Sequence, residues 1–267
     1  METSIDSKNV LARIVERRRE TISHRKRVLP DVALKLAVQN KVLPPRDFPG
    51  ALVGSGCNVI AELKKASPSR GLLRADYQPV VTAPTLEAAG AAALSVLTEE
   101  DFFQGSLGDL KEVSKATKIP ILRKDFIIDP WQVWETRAAG ADAFLLIVTI
   151  LDDETLKELL ALGRELKMEA LVEVHSREEL SRAIAAGATI IGVNNRNLKT
   201  FEVKLETSFE LIEVIPESCI AVSESGIRSR GDIERLRAAG FDAFLIGEHL
   251  MTMPDPAAGL RSLLAGE

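Results

Sequence analysis

A short tripeptide recurs along the chain and constrains its fold more than any other sequence feature. Ala-Ala-Gly occurs at residues 88–90, 138–140, 185–187 and 238–240. Each copy follows a segment of helical length and precedes a short apolar run. Glycine at such a point suits the left-handed conformation that ends a helix, so each copy predicts a helix end before a strand. The longer copies AAGADAFLL and AAGFDAFLI match almost residue for residue, which indicates an internal repeat.

Eight strand-like runs, rich in apolar and β-branched residues, follow one another through the chain. They cover residues 59–63, 92–97, 119–124, 143–148, 170–174, 189–193, 219–223 and 243–247. Amphipathic segments of helical length separate them, and this alternation predicts right-handed crossovers and a parallel sheet. Eight strand–helix units make a closed (β/α)8 barrel, the TIM barrel. An open doubly wound sheet is the alternative architecture, but it does not require eight evenly spaced units.

Pro84 conflicts with the first helix of this predicted barrel. It lies five residues after Pro79, and a proline in the interior of a helix costs about 3 kcal/mol. We therefore expect this helix either to begin late, near Pro84, or to be kinked.

Residues 1–50 differ from the rest of the chain and are predicted to form a helical amino-terminal extension. It would pack on a barrel of residues 51–267, so that the whole chain is a single domain. Apolar residues recur at helical spacing from Val10 to Val15. The basic run at 17–27, RRRETISHRKR, follows on the same predicted helix, and we interpret it as a solvated helix face rather than an anion or partner site.

Charge balance and apolar runs argue against several classes of protein. The 34 Lys and Arg residues against 39 Asp and Glu give a net charge of -5, which does not favour nucleic-acid binding. Cys57 and Cys219 form neither a metal-spaced pair nor a disulfide framework. The amino terminus, METSIDSKNV, lacks the apolar core of a secretory signal, and no apolar run reaches the length of a membrane span. We expect a cytoplasmic protein without membrane partners, most simply a monomer, although the sequence leaves an oligomer open.

Charged and polar residues stand where the predicted strands end. The carboxyl ends of the strands of a (β/α)8 barrel build its active site. Lys124 and Glu173 lie within apolar runs, where a charge is costly unless it is paired or used. Glu62 and Lys64, two residues apart, would project from the same face of a strand. The other candidates at strand ends are Thr98, Glu99, Thr149, Asn194, Arg196, Glu224, Ser225, Gly247 and Glu248. A structural ion pair is the alternative for each charge taken singly, but their arrival at one rim favours a site.

Two glycine turns follow the seventh and eighth strand-like runs. Residues 224–227 form the first turn and residues 247–249 the second. Barrels often bind a phosphate on these two loops through backbone N–H groups and the positive end of a short helix. The pair of turns therefore predicts a phosphorylated small-molecule ligand. His175 follows Glu173 at a strand end, and an unperturbed histidine titrates near neutrality, but we interpret this residue as structural, like His24 and His249.

These motifs together resemble the indole-3-glycerol-phosphate synthase family of tryptophan biosynthesis, whose members are barrel enzymes. The matching segments are AELKKASPSRG, LSVLTEEDFFQGS, ILRKDFIID, LVEVH, GVNNRNL and SESGI, and they extend from about residue 59 to 250. The resemblance implies a lyase that closes the ring of 1-(2-carboxyphenylamino)-1-deoxyribulose 5-phosphate to give indole-3-glycerol phosphate, carbon dioxide and water. It implies neither a metal nor a cofactor.

The resemblance also implies roles for individual residues. Lys124 would be the general acid that protonates the ketone, and Glu173 its partner in later proton transfers and dehydration. Lys64 would be a catalytic lysine that contacts the substrate carboxylate, and the match leaves open which of the two lysines gives which proton. Glu62 and Asn194 would hold the substrate and its developing charge, and Arg196 would hold the anthranilate carboxylate. Phe103 and Phe126 would flank the aromatic ring, and Ser67 of the first motif would also bind the substrate. Glu224 would line the site, and the phosphate would be held by Ser225, Gly226, Gly247 and Glu248.

The residue types suit acid–base chemistry near neutral pH. A lysine beside other cations has a lowered pKa, and a glutamate in an apolar strand has a raised one, so we expect these directions for Lys124 and Glu173. Two alternatives stay open, another sugar-phosphate barrel enzyme such as a phosphoribosyl isomerase, and a non-catalytic phosphosugar-binding barrel. The isomerase gives no reason for two lysines and two glutamates in these motifs. The binding barrel would need the phosphate loops but neither Lys124 nor Glu173.

Overall fold

Eight parallel strands form a closed barrel in the computed structural model, which describes residues 10–41, 43–54 and 56–265. Each strand pairs with the strands before and after it in sequence, and the first strand pairs with the eighth. The barrel strands are, in chain order, Asn58–Leu63, Ala93–Leu97, Ile121–Lys124, Ala143–Ile147, Glu169–Val174, Ile190–Asn194, Ile220–Glu224 and Ala243–Ile246. The prediction of a TIM barrel is confirmed, and the open sheet is wrong.

Helices alternate with the strands and surround the barrel. They are α1 (Val10–Val28), α2 (Asp31–Lys41), α3 (Phe48–Leu52), α4 (Pro79–Ala88), α5 (Leu107–Ala116), α6 (Pro130–Ala139), α7 (Asp153–Glu165), α8 (Arg177–Ala185), α9 (Glu206–Ile212), α10 (Arg230–Ala239), α11 (Glu248–Thr252) and α12 (Pro256–Leu264). A 3-10 turn spans Val148–Ile150, and two short antiparallel strands, Ala66–Ser67 and Gly71–Leu72, lie outside the barrel. Within the described ranges, no helix has the length and apolar character needed to cross a membrane.

The four Ala-Ala-Gly glycines have the backbone conformation that their position predicts. Their φ angles are 100° at Gly90, 87° at Gly140, 85° at Gly187 and 116° at Gly240. In this left-handed region a side chain beyond hydrogen is disfavoured. The four helix ends predicted from the repeat are therefore confirmed.

Helix α4 begins at Pro79 and continues through Pro84. Of the two expectations, the late start is wrong, because Pro79 occupies the first turn, where a missing N–H group removes no helical hydrogen bond, and the kink stays a prediction. Pro84 removes only the bond that its N–H would donate to the carbonyl of Val80. Val80 is 40% exposed, so the bond is missing in a part of the helix that is open to water.

Side chains alternate between two apolar faces of the barrel wall. Alternate strand residues such as Val59, Ala61 and Val172 pack outward in the cluster that includes the helices, while Ile60 and Leu171 pack in the barrel interior. Strand side chains alternate with a period of two, so a residue two or four positions from an interior residue also points into the barrel. The polar residues near strand ends that occupy such positions are Glu62, Lys124, Glu173, Asn194 and Glu224.

Helix α3 fills the amino-terminal end of the barrel. Phe48 and Leu52 are fully buried and belong to the interior apolar cluster. The side-chain amide of Asn58, at the start of the first strand, donates a hydrogen bond of 2.7 Å to the carbonyl of Leu52. The interior is thus packed at this end, and the polar residues lie at the other.

Helix α1 contacts the carboxyl-terminal end of the barrel through both apolar and basic residues. Its Val10 and Ile14 join the interior cluster. Arg18, which is 4% exposed, lies 3.0 Å from the Asp125 carboxylate. Arg25 pairs with Glu100 and Glu135, and Lys26 with Asp129. The interpretation of the basic run as a solvated face is therefore wrong for these three residues. The division of the chain at residue 50 stays a prediction, and residues 1–9, on which the interpretation of the amino terminus depends, lie outside the described residues.

Candidate active site

An ammonium group between two carboxylates forms the centre of the rim. The Nζ atom of Lys124, at the end of the third strand, lies 3.0 Å from Glu173 Oε2 and 2.5 Å from Glu224 Oε2. The two glutamates come from the fifth and seventh strands, and their side chains are 3% and 1% exposed. Three strands thus bring one cation and two anions into a buried contact.

A second ion pair lies beside this centre, on the first strand. Lys64 Nζ is 2.6 Å from Glu62 Oε2, as the two-residue spacing predicts. Both residues line the same cavity as Lys124, Glu173 and Glu224. The rim therefore holds a compact cluster of three glutamates and two lysines.

Two glycines make room for the carboxylates of this cluster. A Cβ atom on Gly192 would lie 2.2 Å from Glu224 Oε1, and one on Gly247 would lie 2.1 Å from Glu62 Oε2. Both distances are far shorter than van der Waals contact. Gly247 was predicted only as a phosphate-binding turn, and Gly192 was missed because a glycine within a strand gives no signal of the side chain that passes over it.

The pKa directions of the central residues differ from those expected. Burial lowers the pKa of Lys124, but attraction by Glu224 and Glu173 outweighs burial, so its pKa lies above the usual range. Burial raises the pKa of Glu173, but the attraction of Lys124 and the contact with His175 outweigh it, so the pKa is lowered. Both expected directions are wrong because Lys124 lies between carboxylates rather than beside cations.

Glu224 is the carboxyl group whose pKa is raised. Burial is the largest cause; Lys124 opposes it and repulsion by Glu173 adds to it, so that the pKa of Glu224 is about 7. Two carboxylates that share one ammonium cannot both be fully stabilised as anions. The pair accordingly holds a proton that exchanges near neutral pH.

His175 extends the cluster behind Glu173. Its Nε2 atom lies 3.4 Å from Glu173 Oε1, and its Nδ1 atom lies 3.2 Å from Glu179 Oε2. Burial lowers the pKa of His175, but hydrogen bonds and attraction from the two glutamates raise it to about 9. The interpretation of His175 as structural did not anticipate this contact, although a position two residues after Glu173 on one strand face was a signal for it.

A cavity of about 350 Å³ lies at the two glycine turns. Arg196 is in its wall, with Nη2 2.9 Å from Glu248 Oε2 and Nη1 3.2 Å from the hydroxyl of Ser69. Arg70 also pairs with Glu248, at 3.2 Å. The predicted residues that line this cavity are Glu62, Lys64, Arg196, Ser225, Gly226, Gly247 and Glu248. Four cationic side chains, with His249 beside them, make this part of the rim suitable for an anionic group; the cations are Lys64, Arg70, Arg196 and Arg228.

Aromatic and aliphatic side chains form the opposite part of the rim. The rings of Phe103 and Phe126 have centroids 6.0 Å apart, and cavities beside them are lined by Lys124 on one side and by helix α1 on the other. Sequence reasoning missed the other apolar lining residues, since they lie on α1 and on the loop after the sixth strand: Val10, Leu11, Ile14, Leu198 and Phe201. An aromatic and aliphatic lining of this kind suits an apolar group of a ligand.

All the residues predicted to bind substrate or to act in catalysis line these three cavities, including Ser67 and Asn194. Three further strand-end candidates serve other contacts. Thr98 donates a hydrogen bond to Asp125, Glu99 accepts from the N–H groups of residues 101–103, and Thr149 donates to Glu179. Over the described ranges, no group of three or more His, Cys, Asp or Glu side chains is arranged to hold a metal ion.

The fold and the rim together define a class, the (β/α)8-barrel proteins with a charged cavity at the carboxyl-terminal end of the strands. Solved structures share the fold. The 3-hexulose-6-phosphate synthase of Salmonella typhimurium matches with a TM-score of 0.62 at 14% identity, over 77% of this chain and 96% of that chain. Thiamine phosphate pyrophosphorylase from Pyrococcus furiosus matches with a TM-score of 0.58 at 17% identity, over 77% of this chain and 93% of that chain. At these identities the likeness concerns the fold alone.

Sequence comparison identifies the family within this class. The family model described as indole-3-glycerol phosphate synthase matches residues 11–263. The indole-3-glycerol phosphate synthase of Dehalococcoides mccartyi (strain CBDB1) is 49% identical over 258 residues, which are 96% of this chain and 100% of the relative. That of Koribacter versatilis (strain Ellin345) is 53% identical over 223 residues, 82% of this chain and 86% of the relative. The chain belongs to the indole-3-glycerol phosphate synthase family, and the resemblance read from its motifs is confirmed.

Proposed function

We propose that this protein is a carboxy-lyase of tryptophan biosynthesis that converts 1-(2-carboxyphenylamino)-1-deoxyribulose 5-phosphate to indole-3-glycerol phosphate. The observation that carries the proposal is the position of Lys124, held between Glu173 and Glu224 where an aromatic-lined cavity and a cationic cavity meet. Membership of the family supports the same reaction.

The two kinds of cavity match the two ends of this substrate. The phosphate would bind at the glycine turns, on backbone N–H groups around Gly226 and Gly247. The anthranilate ring would lie beside Phe103 and Phe126. Its carboxylate would bind Arg196 and Lys64, and Lys64 would exchange its contact with Glu62 for one with the substrate. The ketone then lies between these ends, next to Lys124.

Lys124 would act as the general acid of ring closure. The ring carbon that bears the carboxylate attacks the ketone carbon while Lys124 gives its proton to the ketone oxygen, which becomes a hydroxyl group. The raised pKa keeps Lys124 protonated at neutral pH, so the proton is available. Carbon dioxide then leaves with the bond electrons returned to the ring. General acid catalysis of this kind contributes about 10²- to 10⁴-fold to a rate.

Glu173 would act in the dehydration that follows. Loss of the hydroxyl group as water requires a proton delivered to the oxygen and a proton removed from the new ring. Glu173 is ionised and lies 3.0 Å from Lys124, so it is suited to accept the proton while Lys124 supplies the other. Glu224, with a pKa of about 7, is suited to return a proton to Lys124 after ring closure, so that Lys124 can donate again in the dehydration, and Glu224 then takes up a proton from water. Asn194 and Glu62 would hold the reacting part of the substrate.

The experiment is a fluorescence assay of indole formation from the carboxyphenylamino substrate with purified protein. Wild-type protein should give a signal, and Lys124→Ala and Glu173→Gln should each lower kcat by about 10²- to 10⁴-fold. Lys115→Ala is a matched control, because this lysine is exposed on α5 and pairs only with Glu112 among the contacts of the described chain. Wild-type turnover in either rim variant removes that residue from the mechanism. A folded wild-type protein without signal would overturn the proposed reaction and leave a phosphosugar-binding barrel.

A further inference from the structure

We propose that His175 is a positioning residue whose doubly protonated ring bridges Glu173 and Glu179 and so aims Glu173 at Lys124. The effect on turnover rests on the proposed function, because it requires Glu173 to act in the reaction. The bridge itself depends only on the contacts of the fold.

The two oxygens of Glu173 face two different cations. Oε2 lies 3.0 Å from Lys124 Nζ, and Oε1 lies 3.4 Å from Nε2 of His175, a charge contact that lacks the alignment of a hydrogen bond. A carboxylate contacted on one oxygen alone can rotate about its last bond, whereas contacts on both oxygens fix its plane. His175 therefore completes the orientation that Lys124 begins.

The second ring nitrogen of His175 also faces a carboxylate. Nδ1 lies 3.2 Å from Glu179 Oε2. A neutral imidazole carries a proton on one nitrogen only, so it would turn a lone pair toward one of the two anions. The imidazolium presents an N–H group to both carboxylates, as a hydrogen bond from Nδ1 to Glu179 and as a charge contact of Nε2 with Glu173, and it is the form that fits between two anions.

Glu179 is held independently of the ring that it contacts. Its Oε2 atom accepts the backbone N–H of His175 at 2.8 Å, and its Oε1 atom accepts the hydroxyl of Thr149 at 2.7 Å. The side chains of His175 and Glu179 are 14% and 17% exposed. The ring thus lies between a fixed carboxylate on α8 and the carboxylate that it positions.

The charged surroundings of His175 favour the protonated ring. Glu173 on its own strand and Glu179 on α8 are the two charges that act on it, and together they outweigh burial and raise its pKa to about 9. Two uncharged groups from other elements lie nearby, Thr149 after the fourth strand and Asn194 on the sixth. Among the cations, Lys124 lies on the far side of Glu173, and Arg182 of α8 donates to the carbonyls of Val148 and Leu151. Arg19 and Lys199 line an outer cavity that Thr149 also lines. His175 is accordingly expected to stay an imidazolium at neutral pH.

Nitrogen NMR of the histidine side chains tests the bridge without any substrate. The chain has three histidines, so ¹⁵N-labelled protein gives three pairs of ring-nitrogen signals, and His175→Gln identifies the pair that belongs to His175. We expect protons on both nitrogens of His175 at about pH 7.5. Glu179→Gln should lower its pKa by about one unit, because one of the two carboxylates is gone. His249, whose pKa is lowered by burial and by Arg228, serves as an internal reference.

Two NMR results would overturn the bridge. One is a neutral His175 ring at about pH 7.5 in the wild-type protein. The other is a titration of His175 that stays unchanged in Glu179→Gln. Glu179→Gln keeps His175 in place, and where His175→Gln does not fold, His24→Gln and His249→Gln assign the other two histidines and leave the His175 signals by elimination.

Kinetics test whether the bridge matters for turnover. His175→Gln should lower kcat by about tenfold or more with little change in KM, because binding groups are untouched. Glu173 would also lose one of its two cations, so its pKa rises and the acid limb of kcat moves to higher pH. His24→Gln, on the exposed face of α1, should leave both unchanged. An active wild type whose kcat and pH profile are the same in His175→Gln refutes the positioning role. An inactive wild type refutes the proposed function instead, and the NMR result stands by itself.

Discussion

Replacing Arg18 with methionine tests how helix α1 is held on the active-site rim. The Arg18 guanidinium lies 3.0 Å from Asp125 Oδ1 and 3.8 Å from Glu99 Oε1, and both carboxylates are almost fully buried. Methionine retains much of the aliphatic stem but removes the charge. The variant therefore leaves two buried carboxylates with one cation fewer, at the point where Asp125 directly follows Lys124.

The size of the effect follows from the partners that remain. Removing one partner of a buried ion pair costs about 3–5 kcal/mol. Asp125 keeps Arg123 at 3.0 Å, the hydroxyl of Thr98 at 2.5 Å and the N–H of Phe126 at 2.8 Å. We therefore expect a cost at the lower end of this range, about 3 kcal/mol. Because only the docked state of α1 contains the contact, the population of undocked α1 should rise about a hundredfold.

Hydrogen exchange measured by mass spectrometry reports this population directly. Peptides from α1 should exchange about a hundredfold faster in Arg18→Met, while peptides from the fifth strand should be unchanged. Arg17→Met is the matched control, because Arg17 is the adjacent residue but is 54% exposed in its pairs with Asp101 and Glu20, and exposed pairs contribute little. Equal acceleration in both variants, or none in Arg18→Met, would refute the reasoning and leave the apolar contacts of Val10 as the anchor.

Three further predictions concern the rim and the first barrel helix. Glu224→Gln should raise Tm at about pH 8 but not at about pH 4. The pKa of Glu224 is raised from its usual value to about 7, so the native state binds this proton more tightly than the unfolded state, and the stability of the wild type falls as the pH rises from the usual carboxyl range to about 7. Equal Tm shifts at both pH values would contradict this prediction. Gly247→Ala should lower kcat in the indole assay, because its Cβ would lie 2.1 Å from Glu62 Oε2, and unchanged kinetics would exclude this steric role. Pro84→Ala should stabilise the protein by up to about 3 kcal/mol in urea unfolding, since it restores a helical hydrogen bond. Pro79→Ala, in the first turn, should give no such gain, and a gain of the same size there would count against the explanation.

The fold was predictable from the sequence because its strongest signals are local. A glycine such as Gly140 or Gly240 that ends a helix needs a positive φ angle, and this requirement belongs to one residue and its neighbours. The strand runs are equally local, since burial on both faces of the barrel wall makes them continuously apolar. Residues at the strand ends could be assigned to one site because a parallel barrel directs all its carboxyl ends to the same side.

The role of the basic run was not predictable in the same way. Arg17 and Arg18 are adjacent in sequence and chemically identical, yet the first is half-exposed and the second is buried against Asp125, more than a hundred residues away. Nothing within the run distinguishes a charge that meets water from one that meets a distant carboxylate. Only the packing of α1 on the barrel decides between them.

The pKa directions failed for a related reason, and the failure explains why the rim is built as it is. The residue types were identified correctly, but the pKa of Lys124 depends on whether its neighbours are cations or carboxylates, which the topology decides. Glutamates 62, 173 and 224 share the two lysines 64 and 124, so the three carboxylates exceed the two lysine charges by one, and the pKa of Glu224 is raised to about 7. His175 adds a cation that is itself matched by Glu179, which leaves the imbalance in place. A buried surplus of negative charge reduces stability at neutral pH. It also keeps Lys124 charged and supplies a carboxyl group that exchanges protons, so the most destabilising residue of the cluster is expected to be one that turnover requires.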